Sequence, residues 1–481
     1  MGLSRHTTQL LSASLAVVPL LVGIQSAHAS GFAVARFGGP LGNPVSVNPA
    51  AVYYNPANLA LINRTQVMID VNWAYRTASY ERDPGSLDRL PGSTSAPSDP
   101  DSLAANTGRG TVSNLIYSPM FGVATDFNTD LPFAVGLGFS APFGGQAVWD
   151  QTDPVAAYPG AVDGPQRWYT IEGSIRTLAL SLGAAYEIRP ARLSIGLSGN
   201  LYLSEVNTIR ARNVNGTDNL RTEGRSLIDV SSTDLGLGVG LTWEAIEDRL
   251  WLSGSWQSAP NLNGRMEFEG TLSNHFPPER DDNDVVLTQR LPDITRLGAR
   301  FSVNEALELR LFGDIQRWSV FDNQCIIDQN ILGDADPFEY CRVDENGDPP
   351  DGSSIVQNLA RGWKNGFGVR AGGSWFASER VEVMFDLGYD SNAIPDESLE
   401  PALIDMNKVS VGVGGMFQLA RSNDFRMRLG TTATNIFYFE RDTTGVPTAN
   451  RFLTTNSRQP SSAGIYNQNV FVLNTGLYFD F

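Results

Sequence analysis

The sequence predicts an all-β chain, a 14-stranded antiparallel transmembrane β-barrel with a compact N-terminal segment inside its lumen. Three observations carry this reading. Apolar and polar residues alternate with a period of two in separate segments, the connections between segments are alternately short and long, and the chain ends on an aromatic residue, Phe481. A period of two puts successive side chains on opposite faces of a strand. Short turns at one rim and long loops at the other are the asymmetry of bacterial outer-membrane barrels.

The first element is an export signal. Arg5 supplies a positive start, Leu10 to Ile24 an apolar stretch broken by Ser12, Ser14 and Pro19, and Ala27-His28-Ala29 a small-x-small site before Ser30. That stretch is too short to span a bilayer comfortably. Residues 1–29 are therefore expected to be a cleaved signal peptide, and the exported chain to reside in the cell outer membrane. No later segment reaches the roughly 18 consecutive apolar residues of a membrane helix. The formal net charge of −17 repels phosphates and excludes a nucleic-acid role.

Residues 30–62 do not alternate. Gly31-Phe32-Ala33-Val34 and Gly38-Gly39-Pro40-Leu41-Gly42 lead into Asn48-Pro49-Ala50 and a second copy, Asn55-Pro56-Ala57. Irregular backbone of this kind is satisfied inside a wide barrel but not in lipid. The segment is expected to fill the lumen.

Residues 63–481 form the barrel. The predicted strands cover roughly 64–76, 112–126, 132–142, 174–188, 193–207, 228–244, 249–270, 289–303, 306–318, 362–376, 380–390, 407–419, 424–438 and 468–481. In the first, Val67, Ile69, Val71, Trp73 and Tyr75 alternate with Met68, Asp70, Asn72, Ala74 and Arg76. Turns such as Asn128-Thr129-Asp130 and Val303-Asn304-Glu305 close every second junction; the others are long and rich in Gly, Pro and Asp. In the last strand Phe471, Leu473, Leu477, Phe479 and Phe481 share a face, and a terminal aromatic strand resembles the signal read by the barrel-assembly machinery. A soluble all-β repeat protein also alternates, but gives no reason for seven long loops at one rim.

With the apolar face toward lipid, the other face lines the lumen. In the later strands it carries Arg296 and Arg300, then Glu308, Arg310 and Asp314, then Arg370, then Glu382 and Asp386, then Lys408, then Arg426 and Arg428. Basic and acidic strands are neighbours, so cross-strand ion pairs are expected. Arg296, Arg300, Arg310, Arg370 and Lys408 are also the candidates to meet a carboxylate head group.

Cys325 and Cys341 are the only cysteines, and in an exported chain they are expected to form a local disulfide. They lie in an acidic loop, Phe321 to Asp351, with nine acidic residues and one arginine. Asp344, Asn346 and Asp348 echo the start of a calcium loop, but Pro349 stands where Gly is needed and Ile355 where Glu is needed. A solvated loop is expected, with no metal.

Asn55-Pro56-Ala57 after a Gly-rich start resembles the hatch of the FadL/TodX family, outer-membrane transporters of long-chain fatty acids and aromatic hydrocarbons. Ala134-Val135-Gly136-Leu137-Gly138-Phe139-Ser140-Ala141-Pro142-Phe143-Gly144, Leu291-Pro292-Asp293 leading to Leu297-Gly298, Ser255-Trp256-Gln257-Ser258 and Trp318 add to the resemblance, which covers nearly the whole exported chain. It implies a monomer with a plugged lumen, gated by the hatch residues Asn55, Pro56 and Ala57. It also implies an opening in the wall beside the third strand, through which a hydrophobic ligand passes sideways into outer-membrane lipid. Gly136, Gly138 and Pro142 are the candidates for that incompletely paired strand, because proline lacks a donor and glycine packs little. The expected function is uptake of hydrophobic compounds, above all long-chain fatty acids, with a non-specific porin or a surface adhesin as alternatives.

Catalysis is not expected. An outer-membrane hydrolase needs a general base, usually histidine, and of the three histidines His6 and His28 lie in the signal, leaving His275 in a loop. Gly236, Gly238 and Gly240 lie inside a strand rather than before a helix and read as tight packing, so no cofactor is called for.

Overall fold

In the computed structural model, the described residues are 38–85, 100–156, 158–213, 223–276, 279–342, 355–446 and 460–481. The signal segment, the first residues of the predicted hatch and the calcium-like residues Asp344, Asn346 and Asp348 lie outside them.

Each of the alternating segments contains a strand. The strands are β1 (Gln66–Arg82), β2 (Gly108–Thr125), β3 (Phe133–Val148), β4 (Glu172–Ile188), β5 (Leu193–Asn213), β6 (Glu223–Ile246), β7 (Leu250–Gln257), β8 (Arg265–Phe276), β9 (Glu279–Arg290) and β10 (Ile294–Asn304). They continue as β11 (Leu307–Gln316), β12 (Asn323–Asp328), β13 (Ile355–Ala360), β14 (Gly366–Ser378), β15 (Val381–Asp390), β16 (Lys408–Arg421), β17 (Arg426–Tyr438), β18 (Arg441–Asp442) and β19 (Gly464–Asp480). Fourteen of them close a ring in the order β1 to β7, β10, β11, β14 to β17 and β19, which returns to β1. Every pairing in the ring is antiparallel, from Gln66 opposite Asp480 round to Gln66 opposite Ala124. Closure removes the sheet edges that lipid cannot satisfy.

The remaining strands stand outside the ring. β8 leaves β7 and pairs with the upper part of β6, from Arg225 opposite His275 to Ser231 opposite Glu269. β9, β12 and β13 extend that sheet in turn. Two readings are corrected here. The predicted strand 249–270 is two strands, because Ser258–Gly264 makes a turn with positive φ at Asn261, Leu262 and Gly264. His275 sits in β8 rather than in a loop.

The two faces differ as the pattern requires. Ile69, Trp73, Leu182, Leu197, Leu235, Leu297, Leu387 and Val413 are exposed on the outside, while their neighbours Asp70, Asn72, Ser181, Ser198, Asp234, Arg296 and Ser410 are buried. Exposed Phe133, Tyr186, Trp243, Trp375 and Phe417 stand near the short-turn rim, and Tyr75, Trp256, Phe367 and Phe471 toward the other. Two aromatic girdles bounding an apolar band suit a bilayer with its two interfaces. At the long-loop end, Tyr80, Phe143, Trp149, Phe268, Trp318, Phe321, Trp363 and Tyr466 belong to one large apolar cluster. Cys325 and Cys341 form a disulfide that joins β12 to the loop after it.

Residues 38–62 contain no strand. They fold as 3-10 turns at Gly39–Leu41 and Pro56–Leu61 around a short helix, Ala51–Tyr54. Proline in the first two positions of each 3-10 turn, Pro40 second and Pro56 first, supplies a preset φ where no donor is needed.

Candidate functional site: the wall, the N-terminal segment and two cavities

The ring is weakest between β2 and β3. These strands pair only from Phe121 opposite Phe139 to Thr125 opposite Val135, with one isolated bridge higher up between Val112 and Trp149. Between those points β2 remains paired with β1, and β3 with β4. The cause lies in β3. Its register against β4 shifts between Ser140 and Phe143, so Ala141-Pro142 makes a bulge with one extra residue. An extra residue bends a strand and inverts its alternation. Before the bulge Ala134 and Ser140 are buried; after it Phe143 and Ala147 are, and Val148 turns outward, 43% exposed.

Pro142 therefore lies at the departure of β3 from β2. Gly136 and Gly138 do not. Gly136 is paired with both Ala124 and Gly183, and Gly138 with both Gly122 and Ser181. Their smallness serves another contact. A Cβ at Gly136 would stand 2.8 Å from Leu59 Cδ2, and one at Gly138 2.6 Å from Val52 Cγ1. On the same grounds β5 and β6 carry Gly196 and Gly240, where an added Cβ would strike Pro56 and Ala57 backbone and Asn55 Oδ1.

The Asn55 side chain makes four hydrogen bonds. Its Oδ1 accepts from Ala57 N at 3.1 Å, closing the turn. Its Nδ2 donates to Pro44 O at 3.1 Å, Thr242 Oγ1 at 2.9 Å and Leu241 O at 3.3 Å. Thr242 in turn donates to Asn58 Oδ1 at 2.6 Å. In the other Asn-Pro-Ala copy, Asn48 Oδ1 accepts from Ala50 N at 2.9 Å, the same local turn. The two copies share a turn, and the Asn55 copy adds the bonds to β6. At the start of the described segment, Gly38 N donates to Asp70 Oδ1 at 3.0 Å.

The charges predicted to line the lumen are mostly neutralised. Arg300 lies 3.9 Å from Glu308, Arg310 lies 3.3 Å from Glu308 and 3.9 Å from Glu382, and Arg370 pairs with Asp314 at 3.4 Å and with Asp390. Lys408 pairs with Asp405 at 3.3 Å. Arg296 is different. It donates to Gln257 Oε1 at 3.1 Å and lies over the Tyr53 and Tyr54 rings, at 4.8 and 5.6 Å from their centres. Cation–π contact with two rings of the N-terminal segment takes the place of an ion pair there.

Two cavities lie along β1. One, of about 190 Å³, is lined by Gly39, Pro44, Tyr54 and the Arg370 network, and on β1 by Asn72 and Ala74. Ala74 belongs to an apolar strip with Ile116 and Val470, against which Ile436 and Val472 pack. The second cavity, of about 100 Å³, begins one inward residue further on, at Arg76. Its walls mix apolar side chains such as Ile175, Val206, Ile228 and Leu287 with polar ones, among them Arg361 and Glu400, and include Gly145 and Gln146 from the part of β3 not paired with β2. The Tyr169 phenol also lines it, held protonated above its ordinary range by burial, and donates to Pro460 O at 2.7 Å.

Arg76 is the residue that sequence reasoning missed. In the sequence it is one polar position in an alternating strand, and nothing local marks it. It is 8% exposed. Its Nε donates to Gln468 Oε1 at 2.9 Å and its Nη1 to Gln146 O at 3.2 Å. No carboxylate among the described residues pairs with it. The other cavity arginine with a defined acid, Arg361, is matched by Glu400 at 2.8 Å. Among the described residues there is no His, Cys, Asp and Glu group able to hold a metal.

A family model described as outer membrane protein transport protein (OMPP1/FadL/TodX) matches residues 20–433. No curated protein sequence matches the chain. Among solved structures, a FadL homologue from Pseudomonas aeruginosa is similar over 94% of this chain and 100% of its own, at 15% identity and a TM-score of 0.73. The toluene transporter TodX of P. putida follows at 15% identity and a TM-score of 0.60, covering 94% and 99%. The Ralstonia pickettii toluene transporter TbuX has 12% identity and a TM-score of 0.54, covering 94% and 96%. Identities this low speak to the fold.

Proposed function

Because the chain belongs to the OMPP1/FadL/TodX family of outer-membrane transport proteins, we propose that its barrel takes up long-chain fatty acids and releases them sideways into the membrane. Uptake of hydrophobic compounds across the outer membrane, without catalysis, is the family's work. The choice of ligand rests on one observation. A cavity whose walls are partly apolar presents a buried guanidinium, Arg76, that lacks a carboxylate partner among the described residues and stands at the incompletely paired stretch of wall. A buried cation with no acid beside it favours an anionic ligand. A plain aromatic hydrocarbon, such as the toluene named for two of the similar structures, has no use for it.

In this reading residues 30–62 are the hatch, residues 63–481 the barrel, and residues 1–29 the cleaved signal. The support for a hatch is the bonding of Asn55 to Thr242 and Leu241 and the glycines that make room for Leu59, Val52 and Ala57. Asn55, Pro56 and Ala57 then hold the plug shut. The ligand leaves between β2 and β3, where the wall has few backbone bonds to break. The cavity admits the head and first methylenes, and each methylene buried from water contributes about 0.8 kcal/mol. A water-filled pore offers no such gain.

Native mass spectrometry of the purified barrel tests the reading. Co-purifying fatty acid is the expected result. Recovery of hydrophilic solutes alone, with ready permeation of sugars through proteoliposomes, would overturn it in favour of a porin.

A further inference from the structure

Between the bulge and the Val112–Trp149 bridge, side chains do what the sheet ladder does elsewhere. Gln146 of β3 turns its carbonyl toward β2, and Asn114 Nδ2 of β2 donates to it at 3.2 Å. Arg76 of β1, opposite Asn114 in the register, reaches past β2 and donates its Nη1 to the same oxygen at 3.2 Å. A carbonyl that a continuous sheet would give to a backbone amide is thus held by two side chains. On the outer surface of this stretch Leu115 is 57% exposed, and across the gap Val148 also faces outward.

The guanidinium has further capacity. Arg76 Nε is bound to Gln468 and Nη1 to Gln146, whereas Nη2 makes no hydrogen bond among the described residues, and the side chain lines the partly apolar cavity. A carboxylate entering that cavity meets two donors, one free and one engaged only by a neutral carbonyl. Paired, charge-assisted bonds between a guanidinium fork and a carboxylate are roughly twice as strong as a bond to a neutral acceptor. The carboxylate therefore outcompetes Gln146 O for Nη1.

Resting on the fatty-acid reading above, we infer that Arg76 is the latch of the wall opening and that the ligand's own carboxylate releases it. Head-group recognition and opening of the β2–β3 gap are then one event. An anionic head group draws Arg76 off Gln146, leaving that carbonyl held by Asn114 alone among the described residues. The apolar tail, already among Ile175, Val206 and Ile228, passes between the strands. An uncharged molecule of the same length fits the cavity but leaves the latch closed. Discrimination of acid from neutral hydrophobe therefore arises at the exit as well as in binding.

The test uses the full chain in proteoliposomes, with hexadecanoic acid and hexadecanol as matched probes. For Arg76→Gln, loss of a charge-assisted bond predicts that the preference for acid over alcohol falls about tenfold, with hexadecanol uptake equal to wild type or higher. Arg76→Lys keeps the charge without the fork and recovers part of the preference. Asn114→Ala loosens the gap and raises uptake of both probes without altering their ratio. Spin labels at Leu115→Cys and Val148→Cys report the gap directly. Hexadecanoic acid lengthens their distance in the wild type and hexadecanol does not, while Arg76→Gln is long without either. Heat-modifiable migration on gels shows which variants retain a folded barrel. A wild-type distance that ignores the acid, or a fall in acid and alcohol uptake alike for a folded Arg76→Gln, overturns the latch while leaving fatty-acid uptake standing. Absence of acid uptake by the wild type removes both.

Discussion

Asn55 of the N-terminal segment donates to the Thr242 hydroxyl of β6 at 2.9 Å, and the two residues are separated by 187 positions in the chain. Both are buried. The bond joins a segment whose described residues form no strand to the buried face of β6. Much of the behaviour expected of the molecule follows from how that joint and the β2–β3 gap respond to change.

Asn55→Ala leaves the buried Ala57 N without its acceptor, at a cost of about 1–3 kcal/mol, and frees the segment from β6 at this point, while Pro44 O and Thr242 Oγ1 keep their bonds to Asn58. In planar bilayers this variant is expected to show frequent brief openings, where the wild type stays closed. Deletion of residues 30–60 is expected to give a lasting ion-conducting pore. Unchanged conductance after the deletion would argue against a plug.

Gly240→Ala places a methyl where Asn55 Oδ1 now sits, and Gly196→Ala places one against Pro56 and Ala57 backbone. Overpacking of this kind costs about 1–3 kcal/mol. Both variants are expected to fold as barrels yet expose residues 38–62 to protease added from the short-turn side. Gly199→Ala, where an added Cβ meets nothing within 4 Å, is the control and is expected to resemble the wild type.

The Cys325–Cys341 bond closes a loop of 16 residues. A loop of that size corresponds to about 3 kcal/mol of unfolded-state restriction. The double variant Cys325→Ser, Cys341→Ser is expected to leave the ring intact while β12 and the short helix Pro337–Tyr340 lose protection. Limited proteolysis with mass spectrometry reads this. A drop in the melting of the whole barrel would contradict the separation of ring and outer sheet.

Asp336 caps that helix by accepting from Phe338 N at 2.9 Å, and it also binds Arg265. The Arg265 bond, with the cap, holds its carboxyl below the ordinary range. A depressed carboxylate pKa means that the folded state favours the charged form. The contact is therefore fully present above the ordinary carboxylate range and is lost as pH falls through the lowered value. Amide exchange at Phe338, corrected for the intrinsic pH dependence, should accelerate on acidification below about pH 4. Asp336→Asn should show the faster exchange already at neutral pH, and equal protection in the two proteins at pH 7 would contradict this.

Most of the barrel was legible because lipid imposes a rule on each strand by itself. A segment such as Val67 to Arg76 must show apolar residues outward and others inward whatever its neighbours are, so a local period of two is enough. The reading failed where a strand obeys something non-local. Residues 249–270 alternate on both sides of the Ser258–Gly264 turn, and only the pairing of β8 with β6 separates them. Gly136 and Gly138 were assigned to the opening because glycines weaken strands, but their smallness serves Leu59 and Val52 from a distant part of the chain. Lumen arginines were chosen by their density in the later strands, where carboxylates are dense too. Arg76 stands alone in an early strand and was passed over.

The sequence by itself determined a membrane barrel of 14 strands, its lipid face, its short-turn and long-loop rims, and a leading segment unfit to be a strand, because each follows from side-chain alternation or backbone chemistry within a few residues. Tertiary structure alone decided where the wall is incomplete and which cation stands there without an acid. Both depend on the registers of β1, β2, β3 and β4 meeting around one bulge at Ala141-Pro142. A register is a relation between strands, and no single strand carries it.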